Sequence, residues 1–135
     1  MTVFVDTSAL LAVLNAADPA HDAARQVWDD LLTGDGDLRT HSYVVLESSA
    51  LLQRRHGLDA VRALHHEVLP VLTVRFVDSH LHGRAVAALL AAGRRAVSLV
   101  HHTSFELMRD EGIQDAFALD EDFDHEGFGR LPAPV

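Results

Sequence analysis

Three apolar residues, Val3-Phe4-Val5, run straight into Asp6-Thr7-Ser8 and then into Ala9-Leu10-Leu11. A β-branched and aromatic run of this kind reads as a buried strand, and the apolar stretch after the polar triplet reads as a helix. A strand that feeds at once into a helix is the opening of a parallel α/β unit. Asp6 then stands at the carboxyl end of a strand, where open α/β sheets hold their ligands. Asp6, Thr7 and Ser8 also have the chemistry of a helix cap. Position alone does not choose between the two roles.

The rest of the chain keeps the alternation. The first helix runs from Ser8 to about Asn15 and breaks at Asp18-Pro19. Ala24, Val27, Trp28, Leu31 and Leu32 recur at helical spacing from His21 to Leu32, and Gly34-Asp35-Gly36 is a turn. A short strand spans Leu38 to His41, and Ser42 is the expected N-cap of a helix from Tyr43 to His56 that stops at Gly57. Leu58 to Leu69 is a further helix ending at Pro70, and Thr73 to Val77 alternates as a strand does. An Ala-rich helix from Ser79 to Ala92 stops at Gly93, and another runs from His101 to Glu111 before Gly112. Ala116 to Leu119 is a buried-type strand ending at Asp120, and Phe123 to Val135 reads as loop with a short edge strand near Arg130-Leu131. Strands that alternate with helices specify a three-layer α/β/α sandwich around a central parallel sheet. At this length residues 1–135 are expected to form a single domain.

Composition removes several function classes. There is no cysteine, which excludes disulfide scaffolds, thiolate metal sites and thiol nucleophiles. No basic and apolar leader opens the chain and no uncharged run is long enough to span a bilayer, so no membrane role is expected and the expected location is the cytoplasm. All eleven basic residues are Arg, against twenty acids, for a net charge of −9. That balance argues against broad affinity for nucleic acid, since phosphate neutralisation supplies most of such binding. It suits a cationic protein partner, and it is compatible with a nuclease whose divalent ions offset its acids. The ten histidines show no zinc spacing. His65, His66, His80 and His82 read as solvated helix positions, Arg54-Arg55 and Arg94-Arg95 as solvated helix ends within reach of a phosphate, and Trp28 as core or partner-facing surface.

The acids then form a pattern. Asp6 ends the first strand, Glu47 interrupts the apolar helix turn Val44-Val45-Leu46, and Asp120 with Asp122 follows the last strong strand. A parallel sheet brings its strand ends to one edge, and Glu47 lies one turn into its helix beside that edge. Carboxylates gathered in this way hold Mg²⁺ or Mn²⁺, ions that activate water and offset charge on a phosphoryl group.

In order along the chain stand Val5-Asp6-Thr7-Ser8, Tyr43-Val44-Val45-Leu46-Glu47, Ser98-Leu99-Val100 before Thr103-Ser104-Phe105, and Ala116 to Phe123 with Gly127-Phe128 behind it. The ordered set resembles the PIN-domain family, in particular the VapC-like toxins of type II toxin–antitoxin pairs, over essentially the whole chain. The resemblance implies an α/β/α sandwich and a metal-dependent endoribonuclease that cleaves RNA with metal-activated water. It implies that Asp6 and Glu47 are the first and second metal-binding acids, Asp120 the fourth and Asp122 the accessory acid. Thr7 or Ser8 matches the hydroxyl near the first acid, and Ser104 a polar residue of the late helix that faces the site. It further implies a homodimer and a cognate antitoxin with a basic C-terminal tail.

One position departs from that pattern. Where the family places an Asp directly after Ser-Leu-Val, this chain has His101, followed by His102. Three readings stand at this point. His101 ligates the metal as neutral imidazole and shifts the preference from Mg²⁺ toward Mn²⁺. Alternatively the substitution disables catalysis and leaves a PIN-fold binding or regulatory protein. The third reading is an introduced change that silences a toxic activity.

Overall fold

The computed structural model describes residues 1–134. Its strands are β1 (Thr2–Val5), β2 (Asp37–His41), β3 (Thr73–Arg75), β4 (Asp115–Phe117) and β5 (Gly129–Leu131). They form one sheet in the order β3-β2-β1-β4-β5, and every pairing is parallel. The helices are α1 (Thr7–Leu14), α2 (His21–Thr33), α3 (Ser42–His56), α4 (Leu58–Ala63), α5 (Ser79–Ala92), α6 (Leu99–Glu111) and α7 (Asp122–His125). α1 packs on α2 and α3, and α5 packs on α6. Right-handed crossovers put α1 to α4 on one face of the sheet and α5 and α6 on the other. The expected three-layer α/β/α sandwich is therefore present.

The core follows from the apolar runs. Val3, Phe4 and Val5 of β1, and Ala116 and Phe117 of β4, are fully buried, as central parallel strands covered on both faces must be. Trp28 is core: it is 4% exposed and stacks on Phe117 at 6.5 Å between ring centroids. His65, His66, His80 and His82 are all exposed, as the sequence reading has them. Among the described residues no helix is long and apolar enough to cross a membrane.

Several boundaries differ from the sequence reading, each for a local reason. α6 begins at Leu99 rather than His101, because the Ser98 hydroxyl caps it by accepting the His101 N–H at 3.2 Å. α3 is capped by His41 rather than Ser42, whose hydroxyl accepts the Val77 N–H at 2.9 Å instead. The helix after Gly57 loosens at Leu64 into a wide turn and then a tight one ending at Val71. β3 stops at Arg75 and β4 at Phe117, two residues short of each expected end. The loop expected after Phe123 contains part of a short helix, α7, as well as the edge strand β5. Asp120 nucleates that helix by accepting the Asp122 N–H at 2.9 Å, and Phe123 anchors it in the core.

The strand order reverses around β1, with β2 on one side and β4 on the other. In open parallel sheets the crevice at such a reversal, beyond the carboxyl ends of the strands, is where ligands bind. Asp6 follows β1 directly, and Asp120 follows β4 by three residues.

Candidate functional site

β1 delivers Asp6 to that edge and buries it to 1% exposure. The carboxylate caps α1: Oδ2 accepts the Ser8 N–H at 3.1 Å and the Ser8 hydroxyl at 2.6 Å. Ser8 Oγ in turn accepts the Leu119 N–H at 2.9 Å. One hydroxyl thus ties the first acid to the segment that carries Asp120. The other oxygen, Asp6 Oδ1, is buried with no hydrogen-bond partner. Burial raises the Asp6 pKa above the ordinary carboxylate range, the Ser8 bonds and the His101 charge pull it back, and Asp120 pushes it further up. A buried acceptor left unpaired costs about 1–3 kcal/mol, more when charged, and a cation beside it removes that cost.

α6 and the turn after β4 supply the second part. Ligand atoms of His101, Asp120 and Asp122 all lie within 4.8 Å of one another. His101 Nε2 stands 3.1 Å from Asp120 Oδ2. On its other side the ring meets the Ser98 hydroxyl, 3.2 Å from Nδ1. Phe105 lies nearly parallel to the imidazole at 6.2 Å and Phe123 edge-on at 6.0 Å. Arg94 reaches the outer acid, with Nη2 3.5 Å from Asp122 Oδ1. The structure thus brings together His101, Asp120 and Asp122, with Asp6 close enough for the charges of His101 and Asp120 to act on it.

Two expected site residues stand differently. Glu47 is half-buried on α3 and, like Asp6, lies outside the group of ligand atoms formed by His101, Asp120 and Asp122. Ser104 does not turn its hydroxyl to the acids. It is fully buried, donates to the Val100 carbonyl at 2.9 Å and meets His41 Nε2 at 2.8 Å. The partner is a residue that the sequence reading passed over as the end of a strand. His41 Nδ1 accepts the Val44 N–H at 3.3 Å, so its proton sits on Nε2 and is donated to Ser104. Burial, with help from Arg75, lowers its pKa to about 3. His41 is therefore a neutral bridge that joins the start of α3, which bears Glu47, to α6, which bears His101. The signal available in the sequence was its place at a strand end directly before a helix, the same place that Asp6 holds.

Divalent metal ions fit this donor set. Oxygens from Asp120 and Asp122 and a nitrogen from His101 converge. Asp6 Oδ1, buried and without a partner among the described residues, is a further acceptor open to a cation.

Comparison with known proteins places the fold. A family model described as PIN domain matches residues 3–128. The 23S rRNA-specific endonuclease VapC20 of Mycobacterium tuberculosis is 37% identical over 127 residues, covering 93% of this chain and 95% of that protein. The crystal structure of Mycobacterium tuberculosis VapC20, a Sarcin-Ricin loop cleaving toxin, superposes with a TM-score of 0.85 at 36% identity, over 93% of this chain and 95% of the other. VapBC2 from Rickettsia felis, bound to a DNA fragment from its promoter, shares the fold with a TM-score of 0.69 at 12% identity, over 93% and 92% of the two chains. FitAcB from Neisseria gonorrhoeae does so at 0.66 and 12%, over 94% and 93%.

Proposed function

The chain belongs to the PIN domain family, and we propose that it is the toxin of a VapC-like toxin–antitoxin pair, a metal-dependent endoribonuclease acting on ribosomal RNA. The observation that carries the catalytic reading is the buried, unpartnered oxygen of Asp6 beside the His101–Asp120–Asp122 group. Asp6, His101 and Asp120 hold the ion, Mg²⁺ or Mn²⁺, with Glu47 completing the ligand set from α3. A divalent ion in such a place supplies an activated water and offsets the charge that grows on the phosphoryl group. Asp122 orients the open side of the site, and its partner Arg94 sets a cation beside it. Ser8 fixes the Asp6 carboxylate through Oδ2 and leaves Oδ1 free. Ser104 supports the site through His41 and the backbone of α6. The reading as an impaired binding module is not favoured, because His101 points its Nε2 into the acids rather than away from them.

Ribosomal RNA is favoured as substrate by the 37% identity to an endonuclease named for 23S rRNA. Partners follow the same reading. The net charge of −9 suits an antitoxin with a basic C-terminal tail. A second copy of the chain has a surface to use in the apolar groove of about 610 Å³ between α3 and the edge strand β3, where Leu46 and Phe76 are 68% and 79% exposed. The fold fits a toxin acting on RNA in the cytoplasm.

The test is cleavage of purified ribosomes and of a mixed RNA pool with Mg²⁺ or Mn²⁺, beside an Asp6→Asn control. Mapped cuts in 23S rRNA that need the ion and vanish in the control are the expected result. Folded protein that cuts nothing with either ion overturns the reading.

A further inference from the structure

A site of four acids is an all-oxygen site, and hard ions such as Mg²⁺ fit it. The site in this chain is chemically different. At the position where the family pattern has a carboxylate, α6 presents an imidazole, and three observations say that the ring is held for a task. Its Nε2 is aimed at Asp120 Oδ2 across 3.1 Å. Its plane is set by Phe105 on the same helix and Phe123 from α7. Its Nδ1 lies 3.2 Å from the Ser98 hydroxyl, which is itself held by accepting the His101 N–H.

Resting on the metal-nuclease reading above, we propose that His101 Nε2 is a metal ligand, that Ser98 fixes the ring tautomer for it, and that the site in consequence prefers a borderline transition ion, Mn²⁺ or Co²⁺, over Mg²⁺.

The chemistry of Ser98 makes the assignment workable. A hydroxyl has one proton and two lone pairs. One lone pair takes the His101 N–H. Nε2 faces Asp120 Oδ2 and Nδ1 faces the Ser98 hydroxyl. With an ion between Nε2 and the acids, the ring proton sits on Nδ1 and Ser98 Oγ accepts it. A metal-bound histidine generally donates its other N–H to an outer partner, which fixes the ring and raises its basicity. Ser98 is the group placed to be that partner, and it is a positioning residue because it acts through His101. Imidazole nitrogen suits first-row transition ions far better than Mg²⁺, which demands oxygen and gives up its waters reluctantly. The unpartnered Asp6 Oδ1 is the independent sign that a cation belongs here.

The direct test is pulsed electron paramagnetic resonance of Mn²⁺ bound to the wild-type protein, with Asp6→Asn to exclude the surface histidines. A ¹⁴N coupling that disappears in Asp6→Asn and in His101→Asp is expected. In parallel, Mn²⁺ and Mg²⁺ affinities are measured for wild type, His101→Asp, Ser98→Ala and Ser98→Thr, with thermal melts confirming that each is folded. The preference for Mn²⁺ over Mg²⁺ falls about tenfold or more in His101→Asp. Ser98→Ala weakens Mn²⁺ binding about tenfold, and Ser98→Thr restores it. Mn²⁺ bound at the site without ¹⁴N coupling, or an ion preference unchanged by His101→Asp, overturns this inference and leaves the metal-nuclease reading standing. Failure of wild type and His101→Asp alike to bind either ion overturns both.

Discussion

Asp6 and His41 occupy equivalent places and are treated in opposite ways. Each ends a central parallel strand, each caps the helix that follows, and each is almost fully buried. His41 is closed. Both of its nitrogens have partners, one on α3 and one on α6, and its environment keeps it neutral. Asp6 is left open, with Oδ2 bonded twice and Oδ1 not at all. Folding alone would favour closing both, because an unmet buried acceptor is a standing cost. The fold therefore tolerates instability at one strand end and has none to tolerate at the next. The proposed metal site belongs to the end that is open.

Removing the buried charge from Asp6 should reveal that cost. Asp6→Asn keeps an acceptor for Ser8 and abolishes the ionisable group. The metal-free variant is expected to be more stable than wild type by about 1–2 kcal/mol at neutral pH. It should also lose the rise in Tm that Mn²⁺ gives the wild type. A variant that melts lower than wild type in the absence of ions would show that Asp6 is a structural cap and nothing more.

The opposite outcome is expected at His41. Ala there removes a buried ring, orphans the Val44 N–H and takes from the Ser104 hydroxyl the donor it accepts from, at a cost of about 3 kcal/mol. Asn keeps the cap and loses the bridge to α6, at about 1–2 kcal/mol. Acid separates the two groups by sign. The folded His41 titrates at about 3 against 6.5 for a free imidazole, so its stabilising effect is complete above pH 6.5. That effect is lost as the pH falls from 6.5 toward 3, at up to about 1.4 kcal/mol per pH unit. Asp6 is raised above 3.8, so the folded state keeps its proton longer than the unfolded chain. Stability from this group declines as pH rises from 3.8 through the folded value. Denaturant titrations from pH 7 to 4 should therefore fall less steeply in His41→Asn and more steeply in Asp6→Asn. Parallel slopes in all three proteins would remove the comparison.

What the sequence made legible follows the same division. Asp6 and Asp120 stand out because each punctuates an apolar run, and a charge at the end of a buried strand needs a reason. The alternation of strands and helices was readable for the same cause, since burial on both faces leaves Val3-Phe4-Val5 and Ala116-Phe117-Ala118 without polar residues. His41 was not readable. Its role depends on Ser104, 63 residues away, and no local period encodes a hydrogen bond of that span. Ser98 was visible only as the start of the Ser-Leu-Val run. Its contact with the His101 ring needs the helix turn that it starts. The extra helix α7 was missed because four residues carry too little periodicity. Its cause, a side chain of Asp120 bonding two residues ahead, is a turn signal read there as a ligand signal.

The smallest effect on stability belongs to the pair that borders the open site. Arg94 is half exposed and meets Asp122 at 3.5 Å. Such pairs contribute little to folding, so Arg94→Gln should change stability by less than about 0.5 kcal/mol. Its consequence lies elsewhere. Most other arginines are held by acids outside the His101–Asp120–Asp122 group, among them Arg39 with Glu111, Arg84 with Asp110 and Arg130 with Asp124. Arg94 is the one paired with an acid of the His101–Asp120–Asp122 group. A loose cation at the rim of an acidic centre gives the phosphate backbone a first contact in a molecule that otherwise repels it. RNA affinity should fall in Arg94→Gln, and the slope of log affinity against log salt should drop by about 1, as for one lost phosphate contact. Mn²⁺ affinity should hold or rise, because a competing positive charge has left Asp122. A variant that lost RNA and metal affinity together would instead make Arg94 part of the scaffold that shapes the site, and would move the border between its closed and open parts outward to include the loop before α6.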